Sequence, residues 1–309
     1  MLNTSENKSH DTCSVTENVI REALNKTITS TNFDSFGIRY GGKVRDNYSV
    51  PGNRRVIVVT DRISAFDRVI GTLPFKGQVL NQIATWCFNN SSHIAKNHML
   101  RMPDPNVIEV IECKPLPVEI IVRAYITGVT STSIWTHYKN GARVFCGHNL
   151  PDGLRKNQQL PHPILTPSTK NMQGCHDISA SREEIISMGN ISIENFDEIS
   201  DIAMRLFAFG QKVCESKGLI LVDTKYEFGF APDGNIIVID EIHTPDSSRF
   251  WFTDSYEQKF EKGEHPESFD KEYVRQWLLE RGFTGNEDIP FIPDDVRIEA
   301  AKRYIGICQ

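Results

Sequence analysis

The chain has 309 residues, 39% hydrophobic and 24% charged, enough for two packed bodies with sizeable cores. A net charge of −6 and a pI near 5.9 argue against a nucleic-acid partner, which selects a basic surface, so any anionic ligand has to be held by local cations. Seven cysteines, odd in number and never spaced Cys-x-x-Cys, fit reduced thiols. No run approaches the roughly 18 apolar residues of a membrane span, and the amino terminus lacks the apolar core of a signal peptide. A cytoplasmic protein with no membrane partner is expected, as a monomer or a homodimer.

From Met1 to Asn18 the chain is polar and rich in Ser, Thr and Asn, which predicts a mobile tail. Val19, Ile20, Ala23 and Leu24 recur at helical spacing. Val44 to Val50 and Arg55 to Thr60 read as strands flanking a Pro51-Gly52-Asn53 turn, and Gly77 to Phe88 carries a helical apolar stripe. Val107 to Ile111 and Val118 to Val122 read as further strands. The prolines of Lys114-Pro115-Leu116-Pro117 between them predict a break in the ladder and the boundary between two lobes. Leu150 to Asn171, rich in Pro, Gln and Thr, is expected to be a loop. Ser181 and Glu184 have capping-box spacing and open a helix closed by Gly189. A longer helix is expected from Asp201 to Lys217, stopping at Gly218. Helices from Asp270 to Arg281 and after Pro293-Asp294 complete the chain. The pattern is α+β, with antiparallel hairpins and segregated helices. It divides into a tail and first helix start (1–30), a small β-rich lobe (31–115) and a larger α+β lobe (116–309).

Two clusters carry chemistry. In Leu221-Val222-Asp223-Thr224-Lys225-Tyr226-Glu227-Phe228-Gly229 three charges occupy alternate positions of an apolar run, so on a strand Asp223, Lys225 and Glu227 form one row. Asp233-Gly234 reads as a two-residue hairpin loop, and counting outward from it sets Glu227 opposite Asp240. Two facing carboxylates repel unless a cation lies between them, which makes the pair a candidate clamp for Mg2+. The second cluster is Gly41-Gly42-Lys43-Val44-Arg45-Asp46. Its glycines permit close backbone approach to a phosphate, and Lys43 supplies a charge. Val44 stands where a P-loop needs Ser or Thr, and no apolar strand leads in, which excludes a Walker-type ATPase.

Further motifs follow in order: Gly42 to Tyr48, Ser64-Ala65-Phe66-Asp67, Leu116 to Arg123, Thr166 to Lys170, Asp223 to Gly229, and Asp240 to Trp251 with its Pro-Asp-Ser-Ser-Arg core. Together they resemble the SAICAR synthetase family. The resemblance covers nearly the whole chain from Gly41 onward and implies ATP-dependent ligation of L-aspartate to the carboxylate of carboxyaminoimidazole ribonucleotide through an acyl phosphate. It also implies two lobes with ATP in the cleft, the smaller one similar to a protein-kinase N-lobe.

Carried over by position, Lys43 with Gly41 and Gly42 would contact ATP phosphates, and Glu227 with Asp240 would hold Mg2+ beside ATP. Lys225 and Asp223 would be catalytic, dividing between them the steadying of the phosphoryl group and the orienting of the amine. Arg123, Arg249, Asp246, Ser247, Ser64, Asp67 and Lys170 would bind substrate. The family's serine after Thr-Gly is displaced here by Val129; Ser133 is the choice for its place, with Ser131 the alternative. The kinase-like lobe supplies a rival reading, a small-molecule kinase. Against a protein kinase stands the lack of His-Arg-Asp-x-x-x-x-Asn and of Gly-x-Gly-x-x-Gly.

Overall fold

The computed structural model describes residues 15–33, 35–170, 177–189 and 191–308. Most of the tail expected over Met1–Asn18 lies outside them, and its last residues already belong to helix α1 (Glu17–Ala23), which buries Ile20. Seven strands and one helix follow: β1 (Ile38–Gly41), β2 (Arg45–Val50), β3 (Arg54–Val59), β4 (Arg62–Ala65), β5 (Arg68–Thr72), α2 (Lys76–Asn90), β6 (Met99–Asp104) and β7 (Val107–Ile111). They build an antiparallel sheet in the order β1-β2-β3-β7-β6, with β4 and β5 as a separate hairpin. Pairing of Tyr40 with Asn47, Asn47 with Ile57 and Arg55 with Val110 puts these side chains and Arg45 on one face, because opposed residues share a side. All of them line a large cleft. Elsewhere the apolar side chains of β3 and β7 pack against Val79, Leu80 and Ala84 of α2.

The chain leaves this sheet at Ile111 and enters a second one at Lys114, the start of β8 (Lys114–Ile126). The predicted break at the prolines is corrected: β8 runs through both, with Lys114 opposite Phe230 and Pro115 opposite Gly229. They sit at the entry of the strand beside a register shift, where a missing N–H costs little. After α3 (Ile134–Lys139) and the short pair β9 (Val144–Phe145) and β10 (His148–Asn149), the region expected to be a loop holds β11 (Gln158–Leu165) and β12 (Ser168–Thr169). Both pair with β8, and a bulge between Gln159 and Ile164 absorbs the prolines that disguised the strand.

Helix α4 (Arg182–Ser187) has the expected capping box between Ser181 and Glu184. Helix α5 (Ile193–Glu215) begins earlier than the periodicity suggested, capped by Ser192. Then come β13 (Leu219–Phe230), β14 (Ile236–Ile239), β15 (Ser248–Phe252), α6 (Thr253–Lys262), α7 (Glu272–Leu279) and α8 (Asp294–Gly306). The second sheet runs β11-β8-β13-β14, with β15 also on β13. Val222, Tyr226 and Phe228 face the core with Leu206, Phe207 and Cys214 of α5. Asp223, Lys225 and Glu227 take the opposite face, as their spacing requires.

The hairpin register differs from the count. Glu227 faces Ile239, not Asp240. Ala231 N donates to Asn235 O at 2.9 Å and Gly234 lies at φ +85°, so Pro232, Asp233 and Gly234 form a three-residue loop. One extra loop residue shifts the ladder by one. Strands β14 and β15 thus follow one another along the same edge of β13, opposite 227–230 and 219–224 respectively. Residues 240–247 bulge out between them, beside Lys225. Among the described residues no helix is long and apolar enough to cross a membrane.

Candidate active site

The charged row of β13 lies at the junction of two adjoining cavities. Lys225 Nζ donates to Glu119 Oε1 of β8 at 2.9 Å and pairs with Glu227, while Asp240 Oδ2 stands 3.8 Å away. Glu119 and Glu227 are direct cross-strand partners, so two carboxylates face each other across β8 and β13, in place of the Glu227–Asp240 pair expected across the hairpin. Asp240 reaches the group by another route. It leaves β14 at φ +68°, a left-handed conformation that swings it off the ladder, where Arg45 holds it. Lys170, after β12, pairs with Glu227. Burial alone would depress the Lys225 ammonium, but Glu227 and Glu119 outweigh it and lift the pKa well above the ordinary lysine range. Burial would likewise raise Glu227, yet Lys225 and Lys170 hold it well below the usual carboxylate range. The Lys225 and Glu227 charges therefore persist across the physiological pH range.

The larger cavity, about 600 Å³, lies between the two sheets and is walled by Ile57, Val110, Ile111, Pro115 and Ile239 at one end and by charges at the other. Gly42, Lys43, Ser64 and Asp67 also line it. Lys43 pairs with Asp67, which sits in the two-residue turn of the β4–β5 hairpin with Phe66 at φ +50° and Asp67 at +61°. The glycine loop is braced from below: Arg62 donates to Gly42 O and Lys43 O at 2.9 Å each, and to Asp46 Oδ1 at 3.0 Å. Gly41 itself pairs with Asp46 at the end of β1.

The smaller cavity, about 260 Å³, is lined by Arg123, Ser131, Ser133, Asp223, Ser247 and Arg249. Phe66, Asp67, Glu119, Lys225, Asp246 and Arg275 line both cavities. Asp223 does not point at open space. Its carboxylate is gripped by Arg249 and by Arg123 Nη1 at 3.0 Å, and Arg123 Nε is fixed on Thr166 Oγ1 at 2.9 Å. Ser133, buried, bonds Thr130 Oγ1 at 2.8 Å, whereas Ser131 is exposed. Asp246 is buried against Lys76 Nζ at 2.8 Å and Tyr304 Oη at 2.7 Å, with Lys271 Nζ at 3.7 Å. Burial would raise its pKa, but Lys271 and Lys76 hold it well down.

Every residue singled out in the sequence thus lines one cavity or the other, except Gly41, which stops one residue short. Sequence reasoning missed Arg45, Arg62, Glu119, Lys271 and Arg275. Glu119 alternates with Ile121 and Arg123 on β8, so a period-two reading of that strand could have found it.

A family description for SAICAR synthetase matches residues 38–290. The chain belongs to the SAICAR synthetase family. It is 48% identical over 275 residues to the phosphoribosylaminoimidazole-succinocarboxamide synthase of Legionella pneumophila (strain Lens), covering 89% of this chain and 87% of that one. To the chloroplastic enzyme of Arabidopsis thaliana it is 47% identical over 295 residues, 94% and 71% of the two chains. The solved SAICAR synthase of Saccharomyces cerevisiae complexed with SAICAR superposes with a TM-score of 0.76 at 31% identity, over 90% of this chain and 96% of that one. The resemblance in the motifs is borne out, and with it the mixed α and β fold of antiparallel sheets. The chain is an ATP-dependent carbon–nitrogen ligase of purine biosynthesis with ATP as co-substrate; the kinase alternative is not favoured.

Proposed function

We propose that this chain ligates L-aspartate to carboxyaminoimidazole ribonucleotide by passing a phosphoryl group from ATP in the larger cavity to the ribonucleotide carboxylate in the smaller one, across Lys225. The observation that carries this reading is the set of residues common to both cavities, with the Lys225 ammonium among them. A carboxylate oxygen attacks the γ-phosphorus and ADP leaves. The aspartate amine then attacks the acyl carbon, the C–N bond forms, phosphate departs with the C–O electron pair, and the amine loses its proton. Chemistry of this kind depends on positioning and charge, not on a protein nucleophile.

In this reading the cleft divides a small lobe, 31–115, similar to a kinase N-lobe, from a larger one, 116–309; the change of sheet between Ile111 and Lys114 supports that division. The apolar end of the larger cavity suits adenine, and Gly42 and Lys43 meet the phosphates. Arg123 and Arg249, both paired with Asp223, grip the ribonucleotide phosphate with Ser133 or Ser131 and Ser247; Asp223 acts by fixing those two guanidiniums. Lys170 and Lys225 each pair with Glu227; with that carboxylate engaged by a metal, both ammoniums would be available to phosphate.

The oxygens of Glu227 and Asp240 suit Mg2+. Both converge on a point that already holds an ammonium, and the described residues form no closed cage of three or more metal-ligating side chains. Mg2+ commonly uses one or two carboxylates and completes its shell with phosphate and water. When bound it would neutralise phosphate charge and polarise the transferring phosphoryl group.

The test is a coupled ADP-release assay with MgATP, adding the ribonucleotide and aspartate separately and together. ADP release at full rate is expected only with both present. Release that ignores aspartate contradicts ligation.

A further inference from the structure

Behind the charged row, on the face of β13 that packs on α5, lies a device the reaction scheme does not use. Tyr226 is fully buried between Lys225 and Glu227 in sequence but opposite to them in direction. Its hydroxyl lies 2.6 Å from Nε2 of His243, itself buried. His243 stands in the middle of the 240–247 bulge, at φ +52°, a left-handed conformation that is unfavourable for a residue other than glycine. Its ring occupies a notch in α5. A Cβ on Gly210 would lie 2.5 Å from His243 Cε1 and 2.8 Å from Nε2, so no other residue fits there without displacing the ring. Phe209 stacks on the same ring, at 6.3 Å between centroids.

Three costs coincide at one contact: a buried polar pair, a left-handed histidine, and a glycine inside a 23-residue helix, where it is disfavoured relative to alanine. The bulge they tether carries Asp240 at its start and Asp246 and Ser247 at its end. Apart from that tether the bulge is held by Lys225 N donating to Ser247 O at 3.0 Å, by Arg45 pairing with Asp240 and Glu241 at its start, and by Lys76 and Tyr304 on Asp246 at its end. Between those ends His243 supplies the hold at the middle of the eight residues, from the back of the sheet.

We infer that His243 is a positioning residue: its hydrogen bond to Tyr226, seated in the notch of Gly210, sets Asp240 against Lys225 and Glu227 from the back of the sheet. The inference rests on the reading of Glu227 and Asp240 as the Mg2+ carboxylates. Burial keeps His243 neutral, pushed down to about 3, and raises Tyr226 well above the ordinary phenol value, so the hydrogen bond joins a neutral imidazole and a neutral phenol.

The test is ADP binding by calorimetry, with Mg2+ and with EDTA, on the full chain. The ratio of the two dissociation constants isolates the metal-dependent part of affinity. Tyr226→Phe removes one oxygen and no bulk, Gly210→Ala crowds the ring, and His243→Asn keeps tolerance for positive φ while losing the imidazole. Each should cut the ratio about fivefold, the factor that one hydrogen bond's worth of positioning supplies. The EDTA value should stay near wild type. A wild-type ratio in Tyr226→Phe and Gly210→Ala, accompanied by lower melting temperatures, would mean a packing role only and overturn the inference. A wild-type ratio in His243→Asn would assign the effect to backbone conformation and overturn it as well. Asp240→Asn runs in parallel. If it too leaves the ratio unchanged, the metal reading has failed and the inference goes with it; if it lowers the ratio while the others do not, the positioning role alone has failed.

Discussion

Lys225 shows how this chain keeps a cation inside a cleft. Its ammonium meets Glu119 and Glu227 directly, with Asp240 next, so removal from water is offset by close opposite charge. Lys271 is placed differently. It lines the larger cavity with Asp246 at 3.7 Å, yet burial outweighs that attraction and brings it down to about 8. As pH rises through that value the cleft loses a positive charge. Activity at low ligand concentration (kcat/KM) should therefore fall above pH 8, and Lys271→Arg, which stays charged, should flatten the fall; an unchanged profile in the arginine variant would show that Lys271 is not the group. The same depression carries a stability sign. The unfolded lysine binds its proton up to about 10.4, so between about 8 and that value the unfolded state holds more protons, and stability gains with pH. At this scale the row Asp223, Lys225, Glu227 was legible because its period is local. Glu119 meets Lys225 from 106 residues away, and nothing in its immediate neighbours announces that partner.

At the scale of elements, turns decided what could be read. The capping box at Ser181 and the Pro51-Gly52-Asn53 turn were legible because their chemistry is contained in four or five residues. The hairpin after β13 was read as a turn in the right place but with the wrong loop length, since Asp-Gly serves two-residue and three-residue loops alike. That one residue moved Asp240 off the ladder. Its return to the site depends on a left-handed backbone conformation that no local pattern encodes. The proline-rich segments misled for a related reason: β8 and β11 tolerate proline at an entry and a bulge, which only pairing reveals. Gly234, at φ +85° with open space around its Cα, carries the register. Gly234→Ala should lower stability by about 1 kcal/mol, the cost of the left-handed conformation for an L-residue, measured by urea denaturation, with kcat unchanged in the folded protein. A large loss of kcat would mean that the loop does more than set the pairing.

Over the whole molecule, two antiparallel sheets share one apolar core, in which Ile57, Val59 and Val110 of the first join Val118, Val122 and Tyr226 of the second. Helix α8 packs on α1 and α2, so the carboxy-terminal end of the chain braces the amino-terminal elements. The open part between the sheets is the larger cavity, and the smaller one opens from it past Lys225. The motifs made the family legible, and the α+β class with it. The meeting of two cavities at one lysine was not, because it is a property of how strands 100 residues apart align. Lys225→Met keeps the length of the side chain and removes its charge. The direct measurement is single-turnover ADP formation by this variant with ATP, Mg2+, ribonucleotide and aspartate all saturating, alongside nucleotide and ribonucleotide dissociation constants. The rate should fall by about 100- to 1,000-fold, as when one charge-stabilising donor is removed from an active site, with both dissociation constants within about threefold of wild type, or under about 1 kcal/mol. A rate within tenfold of wild type would contradict the placing of phosphoryl transfer at Lys225.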